Sequence, residues 1–438
     1  MMRCWHPYTQ MSLYDADPPL RIERAEGLFL YDAHGNRYYD AISSWWCVVH
    51  GHGHPRIREA VARQMERMDH VMFGGITHEP AERLSERLVE IAPEGLTRVF
   101  YSDNGSTAVE VALKMSLQYW RNLGREEKSK FVCLDRGYHG DTVGCMSVSA
   151  VEAFKKAFHP ILFPTRSVPA PYCFRCPLGK ESASCGAECV RYMEEALKDG
   201  EGNIAAVILE PLLMAAGGML VYPPSYLKEV ARLARAYDAH LIVDEVATGF
   251  GRTGAMFACE RAGISPDFLC LSKGLGAGTL PFAATLTTDR VYDAFLGEPE
   301  SGKTFYHGHT YTANPIGCAV ALASLDLFKE NRLLENIALM APRMEDGLRS
   351  LVDLPQVGDI RQIGTVGALE LVRNKDTKEP LPGTDPVFRA IRQEALRRGL
   401  FLRPLGNVVY LFLPQCTDKD ALDDILSRFI DTIRGVLR

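Results

Sequence analysis

The chain alternates short apolar runs with amphipathic segments, and this alternation predicts its fold. The runs that we predict as buried strands are Phe131–Leu134, Ile204–Leu209, Leu241–Val243 and Phe268–Leu271. Between two of them, Pro224–Ala236 has its apolar residues on one face of a helix. Strands that alternate with helices in this way predict a parallel sheet with helices on both faces.

A further helix is expected after the short strand Val99–Tyr101, and it should run to about Trp120. Thr107 and Glu110 have the spacing of a capping box, in which two side chains satisfy the free N–H groups of a helix start. We therefore expect the helix to begin near Thr107.

The two ends of the chain have a different pattern. Gly27–Asp32 and Arg37–Asp40 predict a hairpin, with a turn at residues 34–36. A helical segment at 325–351, two apolar strands near 365–371 and 408–413, and an amphipathic helix at 417–438 follow at the other end. We interpret this end as a small α+β domain that closes over the site.

Composition excludes several classes of function. The 438 residues are 47% hydrophobic and 24% charged, which indicates a globular chain with a large core. A net charge of −6 gives no electrostatic reason to expect nucleic acid or an anionic membrane as a partner. No run approaches the roughly 18 apolar residues of a membrane helix, and the start lacks a signal-type segment. We expect a cytoplasmic protein with reduced thiols.

Four cysteines are close in sequence, namely Cys173, Cys176, Cys185 and Cys189. Two successive pairs are typical of zinc or iron–sulfur sites, but the second pair has an irregular spacing for a zinc ribbon. A structural metal, reduced thiols and a labile disulfide all remain open, and no catalytic metal is predicted.

An acid and a lysine each follow a buried strand. Leu241–Val243 ends at Asp244, and Phe268–Leu271 is followed by Ser272 and Lys273. Such strand ends line the ligand crevice of parallel sheets. A lysine can form a Schiff base with an aldehyde cofactor, and a carboxylate can keep a pyridine nitrogen protonated. We predict these roles, in pyridoxal phosphate chemistry, for Lys273 and Asp244.

The segments DEVATGFGRTG, from Asp244, and SKGLGAG, from Ser272, resemble the class III aminotransferases of fold type I. The resemblance implies pyridoxal 5'-phosphate as the cofactor. It also implies a large domain at residues 45–321 with a mainly parallel seven-stranded sheet. Residues 1–44 and 322–438 would form the smaller α+β domain.

The same resemblance assigns further cofactor contacts. Gly105 and Ser106 match the family's phosphate-binding pair, at a helix start whose N–H groups can face an anion. Tyr138 matches the tyrosine beside the cofactor ring and the substrate. His309 and Thr310 match residues that reach the phosphate of a partner subunit, which implies a homodimer with shared sites.

Three other motifs are similar to the branch of class III that serves biotin synthesis: His6–Thr9, Ser43–Trp46 and Val71–His78. In that branch S-adenosylmethionine donates an amino group to 7-keto-8-aminopelargonate. The resemblance makes Tyr8 a catalytic and substrate-binding residue.

Further substrate contacts carried over from the branch are Trp45 and Gly308, with Arg403 for the substrate carboxylate. His309 departs from the proline that better-known members carry. This departure leaves the amino donor open, so lysine as the donor and another ω-aminotransferase activity remain alternatives. A non-catalytic cofactor-binding role is a separate, more remote alternative.

Overall fold

The structure is a computed structural model that describes residues 3–15, 17–181 and 185–437. Near the N-terminus, an antiparallel sheet contains β1 (Ile22–Glu26), β2 (Phe29–Asp32) and β3 (Arg37–Asp40). Strands β2 and β3 form the predicted hairpin. Its turn is closed by Asp32, whose carboxylate accepts backbone N–H bonds from His34 and Asn36, each at 2.9 Å.

A seven-stranded sheet lies at the centre of the described residues. The next strands in the chain are β4 (Leu96–Ser102), β5 (Lys130–Leu134), β6 (Arg166–Val168), β7 (Ile204–Leu209), the outlying pair β8 (Leu213–Met214) and β9 (Leu220–Val221), β10 (His240–Asp244), β11 (Phe268–Leu271) and β12 (Ala283–Thr288). The sheet order is β4-β12-β11-β10-β7-β5-β6, and β12 alone runs antiparallel to its neighbours. The mainly parallel seven-stranded sheet is therefore confirmed.

Helices cover both faces of this sheet. Phe131 of β5 packs in one buried cluster with residues of the helix Gly105–Asn122. Its neighbour Val132 packs in another cluster with residues of the helix Pro224–Ala236. Successive side chains of one strand thus enter opposite apolar layers, which explains why the predicted strands are continuous apolar runs.

The α-helices have the following bounds: Pro55–Arg67, Glu79–Ile91, Gly105–Asn122, Val143–Val148, Glu152–Lys155, Arg191–Asp199, Pro224–Ala236, Asp289–Asp293, Pro315–Glu330, Leu333–Arg349, Pro386–Arg397 and Lys419–Val436. The predicted segment 325–351 is divided in two at Arg332, which has a φ of +50°. The predicted helix at 417–438 is observed as Lys419–Val436, and Arg438 lies outside the described residues.

The helix predicted to begin near Thr107 begins at Gly105, so the predicted capping box is wrong. Asn104 is the N-cap, and its side chain accepts the N–H of Thr107 at 3.1 Å. Glu110 instead accepts the hydroxyl of Thr142 at 2.6 Å. The hydrogen bond from Thr142, in a distant loop, thus takes the place of the predicted bond between Glu110 and the start of its own helix.

The remaining strands lie in the C-terminal part of the chain: β13 (Val357–Ile363), β14 (Val366–Asn374), β15 (Glu379–Pro380), β16 (Leu400–Phe401) and β17 (Val408–Phe412). β13, β14, β15 and β17 form one antiparallel sheet, whereas β16 pairs in parallel with β3 near the N-terminus. The division into residues 45–321 against 1–44 and 322–438 stays a prediction.

Candidate active site

Two adjoining cavities lie where the central strands end. The smaller, of about 470 Å³, is lined by Gly105, Ser106, Tyr138, Asp244 and Lys273, all predicted cofactor-binding residues. The larger, of about 1140 Å³, is lined by the predicted substrate residues Tyr8, Trp45, Tyr138, Lys273 and Arg403. Tyr138 and Lys273 line both cavities, so a molecule in the larger one can reach groups bound in the smaller.

Three predicted residues line neither cavity: Gly308, His309 and Thr310. His309 lies beside Asp103, with Nδ1 and Oδ2 2.9 Å apart. The loop that carries them is exposed at Tyr306 and Tyr311. Their predicted contact is with a partner subunit, so their roles stay predictions.

Lys273 begins a short 3-10 turn that Ser272 separates from the end of β11. Its Nζ lies 5.3 Å from the ring centroid of Trp46. Burial lowers the pKa of its ammonium, although the charges of Asp244 and Glu210 oppose that shift. A lowered pKa increases the fraction of the neutral amine, which is the form that acts as a nucleophile or base.

Asp244 ends β10 and is held by His139, a residue that the sequence did not single out. His139 Nδ1 lies 2.7 Å from Asp244 Oδ2, and both residues are 3% exposed. The other oxygen of Asp244 accepts the N–H of Val246 at 3.0 Å. A carboxylate only accepts hydrogen bonds, so the Nδ1 atom carries the proton.

Glu210 is a second buried acid of the smaller cavity, and no role was predicted for it. It ends the apolar run of β7, where its carboxylate accepts the N–H groups of Tyr138 at 3.1 Å and Ala215 at 3.0 Å. Burial raises its pKa to about 7. The position at a strand end was the sequence signal that could have identified it.

The start of the helix Gly105–Asn122 faces the smaller cavity. Gly105 is required here, because a Cβ atom would lie 2.5 Å from a methyl carbon of Val246. The hydroxyl of Ser106 accepts the N–H of Asp141 at 3.1 Å. The free N–H groups of a first helical turn and the helix dipole suit a phosphate at this end of the cavity.

Tyr8, Tyr138 and Asp141 form a hydrogen-bonded group at the junction of the cavities. Both hydroxyls donate to Asp141, at 2.6 and 2.9 Å, and the two phenol oxygens are 3.2 Å apart. Burial, followed by the bond to Asp141, raises the pKa of Tyr8 to about 12. Asp141 was not predicted, although it lies three residues after Tyr138 in the same loop.

Arg403 projects into the larger cavity over Trp45, with 4.6 Å between its Cζ atom and the ring centroid. The ring of Trp45 in turn lies 5.8 Å from that of Tyr8. Stacking on an aromatic ring fixes a guanidinium while leaving its N–H groups available for a carboxylate.

Cys173, Cys176, Cys185 and Cys189 form no disulfide. Within the described ranges, no group of three or more His, Cys, Asp or Glu residues could hold a metal ion. The same part of the chain contains no helix with the length and apolar character that a membrane span requires.

The chemistry of the smaller cavity fits pyridoxal phosphate. It offers a helix start for a phosphate, a carboxylate for a ring nitrogen, an aromatic side chain beside a ring, and an amine for an aldehyde. Gly105 and Ser106 could hold the phosphate, and Asp244 could pair with the ring nitrogen. Tyr138 could lie beside the ring, and Lys273 could supply the amine.

The sequences of known proteins match almost the whole chain. A protein of Geobacter sulfurreducens named adenosylmethionine-8-amino-7-oxononanoate aminotransferase is 48% identical, and the match covers 98% of this chain and 96% of the relative. A protein of the same name from Aquifex aeolicus is 45% identical, with coverage of 99% and 95%.

Solved structures agree. The enzyme of that name from Methanocaldococcus jannaschii has a TM-score of 0.93 and 40% identity, covering 99% of this chain and 97% of its own. An amine transaminase from an uncultivated Pseudomonas species, solved with PLP bound, has a TM-score of 0.95 and 34% identity, with coverage of 100% and 99%. The sequence model of the family described as Aminotransferase class-III matches residues 12–433. The chain therefore belongs to the class III aminotransferases.

Proposed function

We propose that this protein transfers the amino group of S-adenosylmethionine to 7-keto-8-aminopelargonate, giving 7,8-diaminopelargonate for biotin synthesis, with pyridoxal 5'-phosphate bound to Lys273. The observation that carries the proposal is that Lys273 lines two joined cavities, of which the smaller also has Asp244 and the helix start at Gly105 in its wall and the larger has Arg403. The names of relatives at 48% and 45% identity support this choice of substrates.

In this proposal the smaller cavity binds and orients the cofactor. Gly105 and Ser106 hold its phosphate at the helix start, and Tyr138 lies beside its ring. Asp244, fixed by His139, holds a proton at the ring nitrogen. Bound pyridoxal phosphate supplies an aldehyde and a protonated ring that accepts electrons from a substrate carbon.

Lys273 is the proposed catalytic base. Its Nζ takes the proton from the substrate carbon that carries the amino group. Burial favours the neutral amine needed for this transfer. The indole of Trp46 lies beside the amine, with 5.3 Å between Nζ and the ring centroid.

The larger cavity binds the substrates. Arg403 forms the ion pair with the acceptor's carboxylate, and Trp45 forms the wall below it. Tyr8, proposed as catalytic and substrate-binding, stays a neutral hydrogen-bond donor because of its raised pKa. Asp141 orients this hydroxyl.

We further propose a homodimer, in which His309 and Thr310 contact the partner's cofactor phosphate and Gly308 contacts its substrate. The exposed aromatic residues Tyr306 and Tyr311 on the same loop support a subunit interface there. Sedimentation velocity should give the mass of two chains. A monomer at micromolar concentration with full activity would exclude the shared site.

The donor assay tests the substrates. Protein loaded with pyridoxal phosphate is incubated with 7-keto-8-aminopelargonate and either S-adenosylmethionine, lysine or no donor, and the diamine product is measured by mass spectrometry. Product formed with S-adenosylmethionine, and not with lysine, is the expected result. Product with lysine alone establishes the lysine-dependent alternative, and product with neither donor overturns the proposal.

A further inference from the structure

Four consecutive residues beside the site have a left-handed backbone. Ser43, Ser44, Trp45 and Trp46 have φ values of +50°, +44°, +71° and +76°. Each such residue is disfavoured because its Cβ atom crowds the following carbonyl oxygen. No glycine or asparagine is present in this turn to relieve the crowding. Such a conformation persists only where the surrounding contacts impose it.

Two serine side chains connect this turn to the body of the protein. The hydroxyl of Ser43 donates to the carbonyl oxygen of Phe412, in β17, at 2.6 Å. The hydroxyl of Ser44 donates to Oδ2 of Asp40 at 2.6 Å. Asp40 is 2% exposed, and its Oδ2 atom also lies 2.8 Å from Nε2 of His52. The acceptor of Ser44 is thus itself fixed.

The turn directs two neighbouring indoles to different tasks. Trp45 lies below the guanidinium of Arg403 in the larger cavity. Trp46 is buried, stacks on Phe412 with 5.3 Å between centroids, and lies near the amine of Lys273. Trp46 has further contacts that fix it, including a hydrogen bond from its Nε1 atom to Tyr410 at 3.2 Å. Trp45 is 37% exposed, so its position depends more strongly on the backbone that carries it.

We propose that Ser44 is a positioning residue. Through its bond to Asp40 it holds the left-handed turn, and the turn keeps Trp45 under Arg403, where the acceptor's carboxylate binds. This inference rests on the proposed function and adds a determinant of acceptor affinity to it. The role acts through Trp45, so it should affect binding of the acceptor more than the chemical step.

Ser44→Gly is the informative variant. Glycine adopts the left-handed backbone without crowding, so the relief of crowding should offset part of the stability lost with the hydrogen bond to Asp40, and the variant should still fold. It lacks the hydroxyl, so the turn gains freedom. We expect the acceptor's KM and its calorimetric dissociation constant to rise about tenfold, since about 1.4 kcal/mol corresponds to that ratio. The kcat should stay within about twofold, and the tryptophan bands in near-ultraviolet circular dichroism should weaken.

Two comparisons make the result specific. Ser44→Asn keeps a donor for Asp40 on a residue that tolerates the left-handed region, so it should restore most of the acceptor affinity. Glu201→Gly removes one exposed left-handed residue, with a φ of +50°, far from the cavities in the chain, and should leave KM and the dichroism unchanged.

The proposal is overturned if Ser44→Gly keeps both the dichroism and the acceptor affinity of the wild type. It is also overturned if kcat falls as much as affinity, which indicates general damage to the site. If the wild type does not convert the proposed substrates, the proposed function fails, and the dichroism still decides whether Ser44 fixes the turn.

Discussion

Nδ1 of His139 lies 2.7 Å from a carboxylate oxygen of Asp244, and both side chains are almost fully buried. Nε2 of His139 has no hydrogen-bond partner among the described residues. The histidine therefore directs its one bonded N–H at Asp244. This arrangement holds the carboxylate of Asp244 in one orientation, away from bulk water, as the proposed ring-nitrogen partner requires.

Replacing this carboxylate should impair the chemical step. Asp244→Asn has nearly the same shape but no charge, so it cannot keep a ring nitrogen protonated. We expect kcat to fall about 10²- to 10³-fold at saturating cofactor, comparable with the loss of one electrostatic contact to a reacting group. His139→Asn should cost less, about tenfold, because Asp244 remains. Steady-state assays measure both values, and an Asp244→Asn enzyme with half the normal kcat would exclude the assignment.

Arg403 should determine affinity for the acceptor. Lysine at this position keeps the charge but loses the two parallel hydrogen bonds to a carboxylate. Arg403→Lys should raise the acceptor's KM by about 10- to 100-fold, since hydrogen bonds to charged groups contribute about 1.5–3 kcal/mol. A suitable control is Arg373→Lys, because Arg373 is exposed and pairs with Glu379 at 3.0 Å. Equal KM values in both variants would contradict the role of Arg403.

Tyr8 should act as a neutral donor across the usual assay range. Burial and the bond to Asp141 raise its pKa to about 12, so the phenol stays protonated up to about pH 10. Tyr8→Phe should lower kcat/KM several-fold by the same factor at each pH from 7 to 10. The prediction fails if the wild type loses activity between pH 9 and 10 and Tyr8→Phe does not. That result would show that the Tyr8 hydroxyl ionises at a lower pH than its raised pKa implies.

Glu245 should make stability depend on pH. It is fully buried, accepts bonds from Thr248 at 2.6 Å and from the N–H of Cys259 at 2.8 Å, and has its pKa raised to about 7 by burial. The usual pKa of a glutamate carboxyl is about 4.5. Between these values the folded chain holds a proton that the unfolded chain releases. The free energy of unfolding therefore falls as pH rises through this window.

Glu245→Gln removes that proton exchange. The variant loses one acceptor, so it should be less stable at pH 5, but its deficit should shrink towards pH 8 by up to about 3 kcal/mol. Urea unfolding at the two pH values gives the difference in the free energy of unfolding. A difference independent of pH would mean that Glu245 ionises near its usual value in the folded state.

Sequence patterns predicted the parts of this molecule that depend on neighbouring residues. The apolar runs before Asp244 and Lys273 placed both at strand ends, and the structure puts both on one cavity. The start of the first active-site helix was misplaced, because Glu110 bonds to Thr142 in a distant loop rather than to its own helix.

Other features have no local signal. Tyr8 and Arg403 lie almost 400 residues apart in the chain, and only the family resemblance brought them to one site. The left-handed turn at Ser43–Trp46 contains no residue that favours that backbone. The hydroxyl of Ser44 bonds to Asp40, four residues earlier. The hydroxyl of Ser43 bonds to the carbonyl of Phe412, a contact that forms only when distant parts of the chain have come together.

The most direct test of the account is to identify the lysine that holds the cofactor. Protein loaded with pyridoxal phosphate is reduced with borohydride, digested and analysed by peptide mass spectrometry. The account predicts a phosphopyridoxyl group on Lys273 of the wild type. The Lys273→Ala variant should carry no such group and should show no turnover. A group attached to another lysine, or full turnover in Lys273→Ala, would contradict it.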